Sequence, residues 1–91
     1  MNNPIDKLSQ KEKTNYLAYL NKNLNSVANE IDILNIKLTA INELRIKACY
    51  KNNLLEALKK DTQYNILFNR RKCLYSEHQL LYKQIHQNKW D

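Results

Sequence analysis

The side chains best suited to bind a metal ion lie near the C-terminal end of this sequence. Cys73 and Glu77 are four residues apart, and His78 and His86 follow them. On a helix, residues i and i+4 share a face, so Cys73 and Glu77 would point the same way. No Cys-x-x-Cys or His-Glu-x-x-His spacing accompanies them, although zinc sites normally use such spacings. We therefore predict a small thiol and two ordinary helix histidines, and no metal site.

Catalytic groups do not form any familiar arrangement either. The acidic residues are scattered, and the closest pair, Glu30 and Asp32, would point to different faces of a helix. A phosphate-binding loop needs glycine, and the sequence contains none. A serine–histidine–aspartate site needs a rigid concave pocket, which two helices rarely provide. We expect no catalytic residue, no cofactor and no enzymatic activity.

Composition narrows the class of protein further. The 91 residues, of which 43% are hydrophobic and 26% charged, form one domain at most. The absence of glycine argues against a sheet with tight hairpins. A net charge of +6 permits binding to nucleic acid, an acidic membrane surface or an acidic protein. Two cysteines make no disulfide framework, and no apolar run has the length of a signal core or a membrane span, so we expect a cytoplasmic protein with reduced thiols.

A basic tract, Asn69-Arg70-Arg71-Lys72, lies between Phe68 and Tyr75. Cations that alternate with aromatic rings suit nucleic-acid binding. Successive helix residues, however, point about 100° apart, so these three charges would not form one patch. The tract is interpreted as part of a solvated face, with phosphate binding and an acidic protein partner as alternatives.

A heptad repeat is the most specific signal in the sequence. Apolar residues recur at alternating steps of three and four, and the members are Leu17, Leu20, Leu24, Val27, Ile31, Leu34, Leu38 and Ile41, continued by Arg45 and Ala48. This pattern predicts a helix that buries one narrow stripe, called here the seam. Ser9-Gln10-Lys11-Glu12 forms a capping box, so the helix should cover residues 9–51. Pro4 can open a short turn within the preceding segment, residues 1–8.

A second repeat with the same steps predicts a matching helix over residues 53–89. Its members are Ala57, Lys60, Tyr64, Leu67, Arg71, Leu74, His78, Leu81 and Ile85. If the chain reverses at Asn52-Asn53, the two repeats mesh, with Ile31 opposite Leu74. Asparagine tolerates the left-handed conformation that ends a helix. The alternative break is Asp61-Thr62, where a new helix could be capped. We predict an all-α, coiled-coil-like antiparallel helical hairpin with its break at the asparagines.

Two positions of the second seam are polar. Arg71 would lie opposite Leu34, and His78 would lie opposite Val27. We expect Arg71 to extend its guanidinium to solvent and His78 to form a hydrogen bond with a neighbour such as Glu30. The alternative is that both residues specify register or a partner, as buried polar residues do in coiled coils.

Apolar residues outside the seam indicate a partner. In the second repeat a leucine is followed by an aromatic residue three times, one heptad apart, so the apolar arc is wider than one helix can cover. The predicted interface consists of Phe68, Tyr75, Tyr82, Ile66, Leu80, Ile33, Ile36 and Leu44. Because monomers rarely expose contiguous apolar patches, the hairpin should pack into a larger helical bundle, with itself or with another helical protein.

The sequence thus predicts a non-enzymatic protein–protein interaction module, a small subunit or adaptor of a homo- or hetero-oligomeric assembly. The alternative is a small, basic, dimeric regulator that binds nucleic acid through its lysine-rich outer faces. No membrane span is expected in either case.

Overall fold

The computed structural model describes residues 4–88 and residue 90, and it is an antiparallel helical hairpin. A short 3₁₀ helix (Pro4–Lys7) precedes two long helices, α1 (Gln10–Tyr50) and α2 (Leu54–Gln87). The helices pack along their length, so the molecule is 63 Å long and 14 Å thick. The predicted all-α hairpin is confirmed, whereas its packing into a larger bundle stays a prediction.

Helix α1 begins at the capping box. The Ser9 hydroxyl oxygen accepts a hydrogen bond from the Glu12 N–H at 3.2 Å, and the same hydroxyl donates to the Glu12 carboxylate at 3.0 Å. The Glu12 carboxylate therefore accepts from the side chain of the cap residue, whereas the capping-box pattern predicts that it accepts from that residue's backbone N–H. The first bond satisfies the Glu12 N–H, one of the backbone donors that the first helical turn leaves without a partner inside the helix.

Two consecutive asparagines make the turn between the helices. Asn52 adopts the left-handed conformation with φ 56°, and its N–H donates to the Cys49 carbonyl at 3.1 Å. The Asn53 N–H donates to the Ala48 carbonyl at 2.9 Å, which completes a Schellman motif. The Asn53 side-chain oxygen then accepts from the Glu56 N–H at 3.2 Å and caps α2. One asparagine thus ends a helix and the next begins one.

The alternative break at Asp61-Thr62 is wrong, because α2 is continuous through both residues. The Thr62 hydroxyl donates to the Leu58 carbonyl at 3.0 Å, which is the usual bond of a threonine inside a helix rather than at its cap.

The hydrophobic core follows the predicted seams. Its centre is a cluster of Val27, Ile31, Leu34 and Leu74, with Leu67 and Leu81 packed against it, and Leu74 is only 1% exposed. Every seam position of both repeats is buried or half-buried. The two stripes meet because a repeat of steps three and four keeps apolar residues on one side of each helix.

The ends of the chain close the end of the hairpin opposite the turn. Ile5 is buried beside α1 and α2. The Trp90 ring lies 5.9 Å from the ring of Tyr16, its carbonyl accepts from the Gln10 side chain at 3.0 Å, and its indole N–H donates to the Ile85 carbonyl at 2.6 Å. The predicted second helix extends to residue 89, which lies outside the described residues, and the observed helix ends at Gln87.

Candidate interaction surface

The two polar seam residues differ from expectation. Arg71 does not extend freely to solvent: it is half-buried, its guanidinium donates to the Asn35 side-chain oxygen at 2.7 Å, and it lies 5.1 Å from the centre of the Phe68 ring. The Arg71 guanidinium therefore lies over the Phe68 ring as a cation–π contact, and its hydrogen bond to Asn35 joins α2 to α1. Arg71 therefore connects the two helices, and whether it specifies their register stays a prediction.

The hydrogen bond predicted between His78 and Glu30 is wrong. Glu30 accepts instead from Arg70, at 3.1 Å, although the sequence pattern places Arg70 on the outside. The guanidinium carries a full charge and reaches further than an imidazole, so it forms the stronger charge-assisted bond. His78 is half-buried in the seam.

Polar contacts between α1 and α2 lie on both sides of the hairpin and distinguish the two sides. On one side Arg71 contacts Asn35 and Arg45 contacts Asp61 at 2.9 Å. We call this side the aromatic face, and it is formed by Phe68, Tyr75 and Tyr82 of α2 and by Asn21, Ala28, Asn35, Asn42 and Cys49 of α1. The other side, crossed by the pair Glu30–Arg70, is called the basic face.

The aromatic stripe is only partly open to solvent. Tyr75 and Tyr82 are 48% and 52% exposed. Phe68 is half-buried, because its ring stacks on Tyr64 with ring centres 6.1 Å apart and because Arg71 covers its other face. Of the predicted stripe, the two tyrosines are therefore available to a partner, and Phe68 supports the hairpin itself as well.

The other predicted interface residues are exposed but dispersed. Ile33 and Leu44 lie on the basic face of α1, and Ile66 and Leu80 lie four helical turns apart on α2. Ile36 is 71% exposed and points away from the seam, where it lines a shallow groove with its neighbours on α1. These side chains form small patches and not one surface.

Another apolar surface lies at the turn, where sequence analysis did not place one. Large side chains from both helices, all exposed by 45% or more, line a groove of about 660 Å³; they are Ile46, Tyr50, Leu54 and Leu58, with Cys49 and Ala57 between them. We call this surface the turn groove. The ion pair Arg45–Asp61 closes its inner end.

A signal for the turn groove was present in the sequence. Leu54, Leu55 and Leu58 directly follow the two asparagines, yet only Ala57 among these residues belongs to the seam. Three leucines outside the repeat, next to a turn, leave apolar side chains that the opposite helix cannot reach.

Positive charge gathers on the basic face near the turn. Lys47, Lys51 and Lys60 surround a smaller groove together with Leu44 and Glu56. Lys60 also pairs with Glu56 at 3.5 Å, the i, i+4 arrangement that stabilises helices slightly. The lysines are therefore not evenly distributed over the hairpin.

Groups with chemical reactivity are not concentrated at any position. Cys49 and Cys73 are both free and exposed, and Glu77 and His86 are exposed on α2. Across residues 4–88 and 90, no three His, Cys, Asp or Glu side chains come close enough to hold a metal ion. Within the same residues, neither helix has a stretch sufficiently long and apolar to cross a bilayer.

Compared with protein-family models, curated proteins and solved structures, the chain has no match.

Proposed function

We propose that this protein is a non-enzymatic helical interaction module, a small subunit or adaptor that assembles with itself or with another helical protein. The observation that carries the proposal is the turn groove, where Ile46, Tyr50, Leu54 and Leu58 are exposed together. A two-helix hairpin has a single seam, and here that seam is already filled. Contiguous apolar side chains beyond it mark a contact surface in soluble proteins.

The free energy gained by covering the turn groove determines how much additional surface a partner must cover. Covering one large apolar side chain contributes about 1.5–3 kcal/mol when the side chain is fully exposed at the start. Because the groove residues are already partly covered, the turn groove supplies on the order of 5 kcal/mol. Association costs about 4–15 kcal/mol. Stable assembly therefore needs the turn groove together with a second surface, and Tyr75 and Tyr82 provide one on the same side of the hairpin.

Light scattering and thermal unfolding over about a hundredfold range of concentration test this proposal. We expect a dimer or larger species, and we expect the melting temperature to rise with concentration because folding and association are linked. A monomer at every concentration, with a cooperative and concentration-independent transition, would contradict the proposal.

Nucleic-acid binding is the second candidate, and the cluster of Lys47, Lys51 and Lys60 favours it. If phosphate binding is the function, affinity should fall by about 10³-fold or more between about 50 and 200 mM salt, provided that six or more phosphates are contacted. Replacing Lys47 and Lys51 by glutamine should then reduce the salt slope by about two, and Lys83→Gln serves as a control on a different part of the surface. We expect weak, non-specific binding, and tight selective binding at physiological salt would favour this candidate over the first.

A further inference from the structure

We propose that the aromatic face binds a second copy of this chain, with the helices of the two copies parallel and both turns at the same end. The inference rests on the proposed function and names the partner and its orientation. The product is a four-helix bundle in which each hairpin covers the surface that the other leaves exposed.

The shape of the aromatic face is self-complementary. On α2 the face is a ridge of large rings, with Tyr75 at its centre. On α1 it is a trough of small residues, and the seam pairing of Ile31 with Leu74 places Ala28 level with Tyr75. The other α1 residues of this face between the first turns of α1 and the turn groove are Ala18, Asn21, Asn25, Asp32, Asn35, Thr39 and Asn42. Close packing requires a ridge on one surface to meet a trough on the other.

Symmetry then selects the orientation. A two-fold axis parallel to the helices places α2 of each copy over α1 of the other, so the ridge enters the trough twice. A two-fold axis across the helices would place α2 on α2 and α1 on α1. That arrangement sets ridge against ridge and trough against trough, which leaves voids. The parallel arrangement is therefore the one that packs.

Charge selects the same face. Between Ala18 and the turn, the aromatic face carries Arg45, Arg71 and Lys72 against Asp32 and Asp61, an excess of one basic residue. The basic face carries twice as many basic as acidic residues; these are Lys37, Lys47, Lys51, Lys59, Lys60 and Arg70, against Glu30, Glu56 and Glu77. In a protein with a net charge of +6, two copies therefore repel each other less through the aromatic face, which has an excess of one basic residue, than through the basic face, which has an excess of three.

The same axis joins the two turn grooves. Tyr50 of one copy comes to lie over Leu54 and Leu58 of the other, and the reverse contact forms by symmetry. This contact covers Tyr50, Leu54 and Leu58, which are 85%, 71% and 65% exposed, and an arrangement with opposed turns would leave them uncovered. The dimer thereby combines the two surfaces that stable association requires.

The native cysteines report on this arrangement directly. Cys49 lines the turn groove, whereas Cys73 lies on the basic side of α2. In the parallel dimer the two Cys49 thiols face each other across the axis. With opposed turns they would lie near opposite ends of a molecule 63 Å long.

Cross-linking with a short bifunctional maleimide is the first test. We expect a covalent dimer from the unaltered protein and from Cys73→Ser, and none from Cys49→Ser. A dimer in light scattering that gives no Cys49 link, or that links through Cys73, would overturn this arrangement and leave the proposed function standing. A protein that is monomeric at all concentrations would contradict both.

A matched pair of charge substitutions is the second test. Tyr75 and Ile33 are almost equally exposed, at 48% and 51%, but they lie on the aromatic and the basic face respectively. We expect Tyr75→Glu to raise the dissociation constant of the dimer by about 30-fold or more, as loss of an interface anchor does, and Ile33→Glu to change it by less than about threefold. Circular dichroism confirms that both variants remain helical. Equal effects, or a larger effect of Ile33→Glu, would overturn the proposal.

Discussion

The middle of the hairpin and its turn end both carry large apolar side chains, but only those of the middle are buried. In the middle, Ile31, Leu34 and Leu74 lie in a closed cluster. At the turn end, Tyr50 and Leu54 are 85% and 71% exposed. The difference shows that burial in this molecule is set by position in the repeat and not by hydrophobicity.

The residues of the seam explain the contrast. At the turn end the seam positions are Ala48 and Ala57, which are small and buried, so the helices meet there with little side-chain area between them. The larger residues around them fall at other positions of the heptad and remain outside. The two regions therefore have different tasks: the middle holds the hairpin together, and the turn end is open to a partner.

The largest expected effect comes from the middle. Leu74→Ala removes the most buried side chain of the seam and should lower the free energy of unfolding by about 2–5 kcal/mol. Leu80→Ala changes the same residue type where it is 63% exposed and should have an effect within about 0.5 kcal/mol. Urea unfolding at one fixed, high protein concentration measures both. Similar losses at the two positions would remove the distinction between buried and exposed leucines.

The turn end should respond through association. Leu58 lines the turn groove and Leu55 does not, although the two are 65% and 67% exposed. Leu58→Ser should weaken association by about 2 kcal/mol if Leu58 is an anchor of the interface, while Leu55→Ser should leave it nearly unchanged. Sedimentation equilibrium gives both constants. A greater loss of association from Leu55→Ser than from Leu58→Ser would mean that the partner contacts the other side of the turn.

Substitutions of Asn52 in the turn should change the free energy of unfolding less, and alanine should be less favourable there than glycine. Asn52 has φ 56°, so Asn52→Ala should destabilise the hairpin by about 1 kcal/mol, because a Cβ without a polar group is unfavourable in the left-handed region. Asn52→Gly should be neutral or slightly stabilising, since glycine is the preferred residue there. Thermal unfolding of the two variants side by side measures the difference. A more stable alanine variant would mean that the left-handed turn is not maintained.

The smallest expected effect belongs to the ion pair that separates the two regions. Arg45 and Asp61 lie 2.9 Å apart with side chains 31% and 49% exposed. At a protein concentration low enough to keep the chain monomeric, a double-mutant cycle with Arg45→Ala and Asp61→Ala should give a coupling of about 0.2–1 kcal/mol, typical of a solvent-accessible pair. The coupling should decrease at high salt. A coupling that is larger and independent of salt would show that the pair is covered, as it would be by a partner in the turn groove.

The fold was predictable because its signals are periodic and local. Alternating steps of three and four specify which side of each helix is buried, and the Ser9 cap and the Asn52 turn use residue types with strong positional preferences. The partner of Arg71 was not predictable. A long side chain reaches several acceptors at similar cost, and a repeat does not say which acceptor, here Asn35, it meets. The contact of Trp90 with Tyr16 was not predictable either, because Trp90 lies beyond the end of the heptad pattern.

The candidate surface was predictable only in part. Tyr75 and Tyr82 were assigned to a partner because they lie beside the seam, and the structure places them on the surface, where their role stays a prediction. Phe68 was assigned in the same way, but stacking on Tyr64 covers part of it, and the i, i+4 spacing of these two residues could have indicated that contact. The turn groove was missed because its residues come from two helices that become neighbours only after the chain reverses.

The small seam residues beside the turn also constrain how this chain folds. A hairpin could close from its turn outward, but the first contact to form, Ala48 with Ala57, buries too little surface to offset the entropy of ordering the turn. Folding must therefore reach the larger seam residues, from Leu38 and Leu67 to Ile31 and Leu74, before burial begins to compensate. The transition state should already contain the middle of the hairpin, so that Leu74→Ala slows folding whereas Ala57→Ser mainly accelerates unfolding.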